Sequence, residues 1–413
     1  MSEIRPLEDD EFHTFVEIFA NAYPAMLPEN FGKEQKLGLV ERWSKAQKEP
    51  EANVYYGCFR EGKLVGGMRL FDYMMNIHGS MIPVGGVGSI CVDLTRKKEH
   101  IAKDMVEYYL RHYLEMGTYM AALYPFRPDF YRKMGWGYGV KVNQYNFNPG
   151  DLPLGSKENV RYLDTFDAES ACECFNRYVT NTHGMILKKT NYFERILQRG
   201  RVIGVKKDGK ISGFLSFSFK KKYKDHFLLH DIEIRDLFYD DAHALSRLLT
   251  FLQTQFDQVN RIIYNTHDPD FHWLIHDPRN GVPNIFITSQ ESNVQGLGIM
   301  YRILDTQGLF KQLGEHDFNS VTLKLKLDIR DTFLPENNQS NVVHFENGKA
   351  TLTNGKYDVE ISMDVSEFSS LLMGVVEFRK LIEYGIAKIS NSEYIKQINT
   401  AFRSRKPVTI EQF

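Results

Sequence analysis

The run ICVDLTRKKEHIAKDM, Ile90 to Met105, sets a strand end, a polar turn and a helix start in immediate succession. Backbone N–H groups at a helix N-terminus lack partners and point outward, so such a terminus attracts anions. Arg96, Lys97 and Lys98 place three cations just upstream of a helix expected to begin near Glu99. A diphosphate matches that arrangement. A lone Arg-Lys-Lys run is more often a basic turn closing a strand, and three further features favour the ligand reading. The approach GGVGSI (85–90) would let another molecule come close to the strand backbone. The segment LYPFRPDFYRKMGWGYG (123–139) puts Tyr131 on a short helix before a Gly-x-Gly turn. A fainter second copy replaces the three cations with Tyr239, Asp240 and Asp241, whose carboxylates would repel a diphosphate.

The elements that must position these residues follow from periodicity. Phe12, Phe15, Val16 and Phe19 recur at helix spacing between about Asp9 and Ala22, and a second helical stretch covers Glu34–Lys48. Three strand-like runs follow, with hairpin turns expected at Glu61-Gly62 and His78-Gly79. A helix from about Glu99 to Glu115, a strand MAALYPF and a closing strand VKVNQYNF complete residues 1–150. That order looks like the N-acetyltransferase (GNAT) arrangement. The polar stretch 151–159 marks a boundary, and residues 151–290 echo what precedes. REGKLVGGMRL (60–70) reappears as KDGKISGFLSF (207–217), and LTRKKEHIAKDM (94–105) as LFYDDAHALSRL (237–248), with His100 and His243 in register. Self-similarity at this scale indicates a duplicated fold. A third region, 291–413, opens with an expected short helix at GIMYRILDTQGLF. Strands at VTLKLKLDI, NVVHFENGKATL and YDVEISMDV follow, then helices at VSEFSSLLMGVVEF and SEYIKQINTAF, an α+β pattern.

Composition limits the function classes. Of 413 residues, 42% are apolar and 25% charged, ordinary globular usage for several domains. A formal net charge of −2, without a basic domain, argues against nucleic acid as partner. The cluster Lys220–Lys222 with Lys224 reads as a solvated strand end. No window approaches the ~18 apolar residues of a membrane span, and the acidic start MSEIRPLEDDEF is unlike a signal peptide. With four cysteines and no disulfide pattern, the cytoplasm is the expected compartment.

The segments GGVGSICVDLTRKKEHIAKDM and FYRKMGWGYG resemble the enhanced-intracellular-survival (Eis) family of GNAT acetyltransferases. The resemblance implies a mixed α/β and α+β chain: a GNAT domain, a second degenerate GNAT domain and a sterol-carrier-protein-like domain. It implies acetyl-CoA as co-substrate, a small-molecule amine such as an aminoglycoside as acceptor, no metal, and a homo-hexamer. By matching motif, backbone groups of Ile90, Cys91 and Val92 would hold the pantetheine arm. Lys98, Glu99, His100, Ile101, Ala102 and Lys103 would cradle the pyrophosphate, and Phe126 with Arg127 would touch the cofactor. Tyr131 would protonate the departing thiolate, for which an ordinary phenol pKa near ~10 is suited. The carboxylate of the last residue, Phe413, would be the general base. The pyrophosphate turn departs from the usual pattern, since His100 stands at its first glycine position and Ala102 alone fits its last small one.

Other residues invite chemistry less strongly. Cys91 lacks an evident base and reads as a strand residue, and Cys172-x-Cys174 diverges around a helix. THDPDFHWLIHD (266–277) gathers three histidines, but Trp273, Leu274 and Ile275 read as core. Glu29, Glu411 and the first-helix carboxylates could greet a cationic amine, Glu411 best because it adjoins the terminus. The rival function is a lipid or small-molecule carrier, with VSEFSSLLMGVVEF lining an apolar cavity. A transferase using charged tRNA is the second rival, against which the missing basic surface argues.

Overall fold

A computed structural model of the chain describes residues 2–28, 30–49, 53–221, 229–285 and 288–411. The first stretch contains β1 (Glu3–Pro6), α1 (Phe12–Ala22), α2 (Lys33–Gln47), β2 (Val54–Arg60), β3 (Lys63–Ile77) and β4 (Ser80–Val92). It continues with α3 (Ile101–Glu115), β5 (Met120–Leu123), α4 (Pro128–Arg132) and β6 (Gly137–Tyr138). Both expected hairpin turns form. Glu61 and Gly62 have φ of 53° and 72°, and His78 and Gly79 have 54° and 87°. Consecutive positive φ values define the two-residue turn whose twist suits antiparallel strands. The echo at Asp208 and Gly209 has 50° and 80°, so the duplication extends to turn geometry.

The second stretch contains β7 (Lys141–Phe147), β8 (Val160–Tyr162), α5 (Ala168–Thr180), α6 (Thr190–Arg199), β9 (Arg201–Lys207) and β10 (Lys210–Lys221). After it come β11 (His230–Tyr239), α7 (Ala242–Gln253), β12 (Val259–Thr266), β13 (Asn293–Leu297) and β14 (Met300–Ile303). Lys220 and Lys221 end β10 as exposed residues; Lys222 and Lys224 lie outside the described residues.

The two seven-stranded sheets are built alike, ordered β1-β2-β3-β4-β5-β14-β6 and β8-β9-β10-β11-β12-β7-β13. Each pairs an antiparallel meander with one parallel neighbour, β4 with β5 and β11 with β12. Each then receives a strand from elsewhere in the chain. The VKVNQYNF strand, expected to close the first domain, is β7 and pairs with β12 in the second sheet. Its counterpart in the first sheet is β14, which pairs with β5 and β6. Strand pairing therefore crosses the expected boundaries at 150 and 290. Residues 300–303, expected as helix, form a strand buried throughout. A segment buried on both faces loses the alternation that distinguishes strand from helix.

The third region contains α8 (Thr306–Gln312), β15 (Leu323–Arg330), β16 (Gln339–Glu346), β17 (Lys349–Thr353), β18 (Val359–Asp364) and α9 (Val365–Leu372). It ends with α10 (Phe378–Glu383), β19 (Lys388–Ile389) and α11 (Ile395–Ala401). The alternation in VTLKLKLDI is realised, with Leu323, Leu325, Leu327 and Ile329 buried and the intervening residues more open. Its core is continuous with the first sheet, joining Met75, Ile82 and Tyr301 to Leu325, Phe345 and Phe368. Helix α9 is buried along its whole length and packs over β6 and β14. Gly137 is a glycine for this reason, since a Cβ there would strike the Ser366 carbonyl oxygen; a Cβ at Gly139 would strike that of Ile299, just before β14.

Candidate active site

Strands β4 and β5 pair only at Gly85–Ala121 and Gly86–Ala122. Beyond those residues they part, opening a wedge whose apex is pinned by Tyr109 of α3. Its hydroxyl lies 2.9 Å from the Gly85 carbonyl and 3.2 Å from that of Ala122. Gly85 serves this helix rather than a ligand, because a Cβ would overlap the Tyr113 ring. On its other edge β4 bulges: Arg69 faces Gly88 and Gly67 faces Cys91, leaving Ser89, at φ 53°, and Ile90 against Met68 alone. A bulge of this kind re-aims backbone groups beside a site. The Ile90 carbonyl accepts a 2.5 Å bond from Tyr23, a residue that sequence reasoning did not single out. Its second lone pair remains available. The Cys91 side chain is buried against α1 on the opposite face, where burial pushes its thiol well up from the ordinary value. It lies away from the wedge.

Helix α3 begins at Ile101, two residues later than expected, with His100 at its cap in the left-handed region at φ 63°. The histidine at the glycine position thus adopts the conformation glycine favours. Its side chain makes no cap bond, so the first-turn N–H groups of Ile101, Ala102 and Lys103 stay open. The cations differ from the expected three. Arg96 is held 2.9 Å from Glu99, which also meets Arg60 at 3.3 Å, so Arg96 is committed to structure. Lys97, Lys98 and Lys103 are exposed around the turn, and Lys103 also lies 5.8 Å above the Phe333 ring.

The second copy has closed the same device. Asp241 caps α7 by accepting the Ala244 N–H at 2.8 Å, and Arg177 grips Asp240 at 2.8 Å. The capping residues His100 and Asp241 are therefore counterparts, and His243 sits two residues further along, inside the helix. This shifts the register read from the sequence echo.

Tyr131 is buried on α4 in one cluster with Ile90, Leu123 and Ile101, edge-on to Phe126, Phe130 and Trp136. Burial, with Tyr23 adding to it, pushes its phenol well above the ordinary value. Phe126 is exposed on the rim, and Arg127 beside it is paired with Asp129. The structure thus gathers Ile90, Val92, the 98–103 turn, Phe126, Arg127 and Tyr131 about one wedge. Phe413 and Glu29 lie outside the described residues.

A cavity of about 790 Å³ lies where the second sheet's parallel pair parts, β11 from β12. Tyr124, the residue after β5, joins it to the first sheet, and Val408 to Glu411 run along its wall. Glu411 pairs with Lys188 and lies 3.4 Å from the Tyr73 hydroxyl. Glu233 and Asp236 line the same space with Tyr178, Tyr192 and Tyr264. Tyr73, Tyr124 and Lys188 carried no local sequence signal, because three distant segments bring them together. His267 and His272 each meet a backbone carbonyl, at 3.2 Å, and Trp273 is 81% exposed rather than core.

A parting parallel pair beside an open helix N-terminus defines an acyltransferase of the GNAT class, whose domains use acetyl-CoA. Residues 3–139 and 184–303 match two families described as acetyltransferase (GNAT) domains, and residues 311–410 match a sterol carrier protein domain. The chain therefore carries two GNAT domains followed by a sterol-carrier domain and is an N-acetyltransferase by class. Three solved structures align over 100% of both chains. A GCN5-related N-acetyltransferase from Anabaena variabilis ATCC 29413 has 16% identity and a TM-score of 0.82. One from Kribbella flavida has 15% and 0.79, and Eis1 from Mycobacterium abscessus has 19% and 0.75. At these identities the likeness is one of fold. No curated protein matches the sequence.

Proposed function

We propose that the chain transfers the acetyl group of acetyl-CoA directly to a small-molecule amine, as an Eis-like enzyme. The observation that carries this reading is the wedge between β4 and β5, with Tyr131 at its mouth and the open α3 terminus at its rim. Lys97, Lys98, Lys103 and the N–H groups of residues 101–103 bind the diphosphate, and the β4 edge from Ile90 to Val92 aligns the pantetheine. The amine nitrogen attacks the thioester carbon, a C–N bond forms and the C–S bond breaks. Tyr131 gives its proton to the leaving sulfur, and burial keeps the phenol protonated until then. The Phe413 carboxylate takes the amine proton, a role supported by the path of Val408–Glu411 along the cavity. Glu411, Glu233 and Asp236 favour a cationic acceptor there, of which an aminoglycoside is one example.

The test is thiol release from acetyl-CoA with a panel of amines. Tyr131→Phe is expected to lower kcat about 10²-fold or more with acetyl-CoA affinity unchanged. Unchanged turnover removes the acid from Tyr131. Extending the chain by one residue beyond Phe413 moves the carboxylate and is expected to have a loss of the same order. The resemblance also carries a hexamer and a cytoplasmic enzyme; light scattering giving a mass other than six chains overturns the former. Among the described residues no helix is long and apolar enough to cross a membrane. The carrier reading is disfavoured because Phe310, Phe318, Phe345, Phe368 and Phe402 pack edge-on or tilted against one another through the third domain's interior.

A further inference from the structure

A second concavity of about 560 Å³ adjoins the first on the second sheet. Four arginines line it from three elements. Arg195 and Arg199 lie four apart, on one face of α6, Arg201 opens β9, and Arg235 comes from β11. The last is aimed by a bulge: Ser216 faces Asp236 and Phe217 faces Ile234, so Arg235 is the extra residue without a partner on β10.

Among the described residues, none of these guanidiniums forms an ion pair with a carboxylate. Arg201 instead sits 5.0 Å above the Phe219 ring. No carboxylate lines this hollow among the described residues; the neighbouring Asp236 lines the first cavity instead, buried and bonded by the Ser216 hydroxyl. Four like charges converging on one hollow repel one another, and an incoming oxyanion would offset that repulsion. The guanidinium fork is also the side-chain shape that matches phosphate and carboxylate oxygens two at a time.

Tyr192, Ser218 and Arg235 line both hollows, so the basic one is continuous with the acidic cavity that holds Glu411. We infer that the acceptor is an amine that also bears an oxyanion, a phosphate or carboxylate, seated among Arg195, Arg199, Arg201 and Arg235 while its amine reaches the Glu411 cavity. The amine half rests on the acetyl-transfer reading; the anion seat stands on the second hollow alone. A polycationic acceptor such as an aminoglycoside would meet repulsion at this end, so the seat narrows the range of amines that the first cavity alone would admit.

Two measurements test it. Inorganic pyrophosphate is titrated calorimetrically, at low salt, into full-length protein already saturated with CoA, which occupies the other diphosphate site. One further equivalent is expected to bind, about tenfold or more weaker in R199Q/R235Q and unchanged in K97Q/K98Q. No binding to the CoA-filled protein, or equal affinity in R199Q/R235Q, overturns the seat. Thiol release is then compared between aminoalkyl phosphates of graded length and the amino alcohols from which they derive. The phosphates are expected to show the higher kcat/KM, with the preference lost in R195Q/R199Q, two arginines that line the second hollow but not the first, and the rate with amino alcohols retained. Equal rates for both classes overturn the acceptor. Thiol release with no amine at all overturns the acceptor together with the acetyl-transfer reading, while the calorimetry, which needs no turnover, still decides the seat.

Discussion

His78, His183 and His316 stack in a single column, with ring centroids 4.3 Å and 4.6 Å apart. They come from the β3–β4 turn, the segment after α5 and the segment after α8, so the column joins all three parts of the chain. The His78 N–H donates to His183 Nδ1 at 3.1 Å, which must therefore be bare, and His183 Nε2 faces the Met373 carbonyl at 3.2 Å. Burial pushes His183 down to about 4 from its ordinary 6.5, and lowers His78 and His316 too; Asp317 and Lys349 are the charged groups beside His316. The unfolded chain binds the proton that the folded one refuses, so stability is full above pH 6.5 and falls as pH drops toward 4. The His183 contribution is on the order of 3 kcal/mol. Urea midpoints measured between pH 7 and pH 5 should fall, and should fall less in His316→Phe, which keeps a ring in the column without its charge. At the same scale, His100→Gly relieves a left-handed histidine and should raise stability by about 1 kcal/mol without weakening CoA binding. Thermal unfolding and CoA titration of that variant check both halves.

At the scale of elements, β14 shows why only part of the site was legible. The strand–turn–helix of Ile90–Met105 and the helix of Tyr131 could be read locally, because turn chemistry and charge are local. The seventh strand of the first sheet could not, because Met300–Ile303 owes its conformation to β5 and β6. The same holds for Tyr23 and Lys188, whose roles depend on contacts with Ile90 and Glu411. Strand β14 is anchored by Arg302, which forms a two-pronged pair with Asp331 at 2.9 Å and 3.0 Å. Both side chains are fully buried, and Asp331 also accepts the Phe333 and Leu334 N–H groups. Removing one partner strands a buried charge, so Asp331→Ala should cost about 3–5 kcal/mol. The double change Arg302→Met with Asp331→Leu should cost less than Asp331→Ala alone, as denaturant unfolding would measure.

For the whole molecule, the sterol-carrier domain completes the first sheet's packing instead of hanging beside it. Helix α9 covers β6 and β14, Arg132 of α4 pairs with Glu367, and Arg111 of α3 pairs with Glu336 at 2.5 Å. A chain ending at residue 297 loses β14 and this cover together. It should be poorly soluble and lack measurable CoA binding, whereas the full chain should unfold in a single calorimetric transition. Separate, well-resolved transitions for the three parts would contradict the shared core.

The exchange of β7 and β14 also imposes a schedule on synthesis. A ribosome delivers the wedge residues early, yet β5 has no neighbour on its outer edge until Ile303 has emerged, and α9 arrives later still. Meanwhile the unpaired β5 edge is exposed to neighbouring nascent chains, and β7 has no sheet to enter until β12 has been made. The segment from Val408 to Glu411 enters its cavity only after both sheets are closed. The cavity that Val408–Glu411 line is therefore complete only after those late residues have been made.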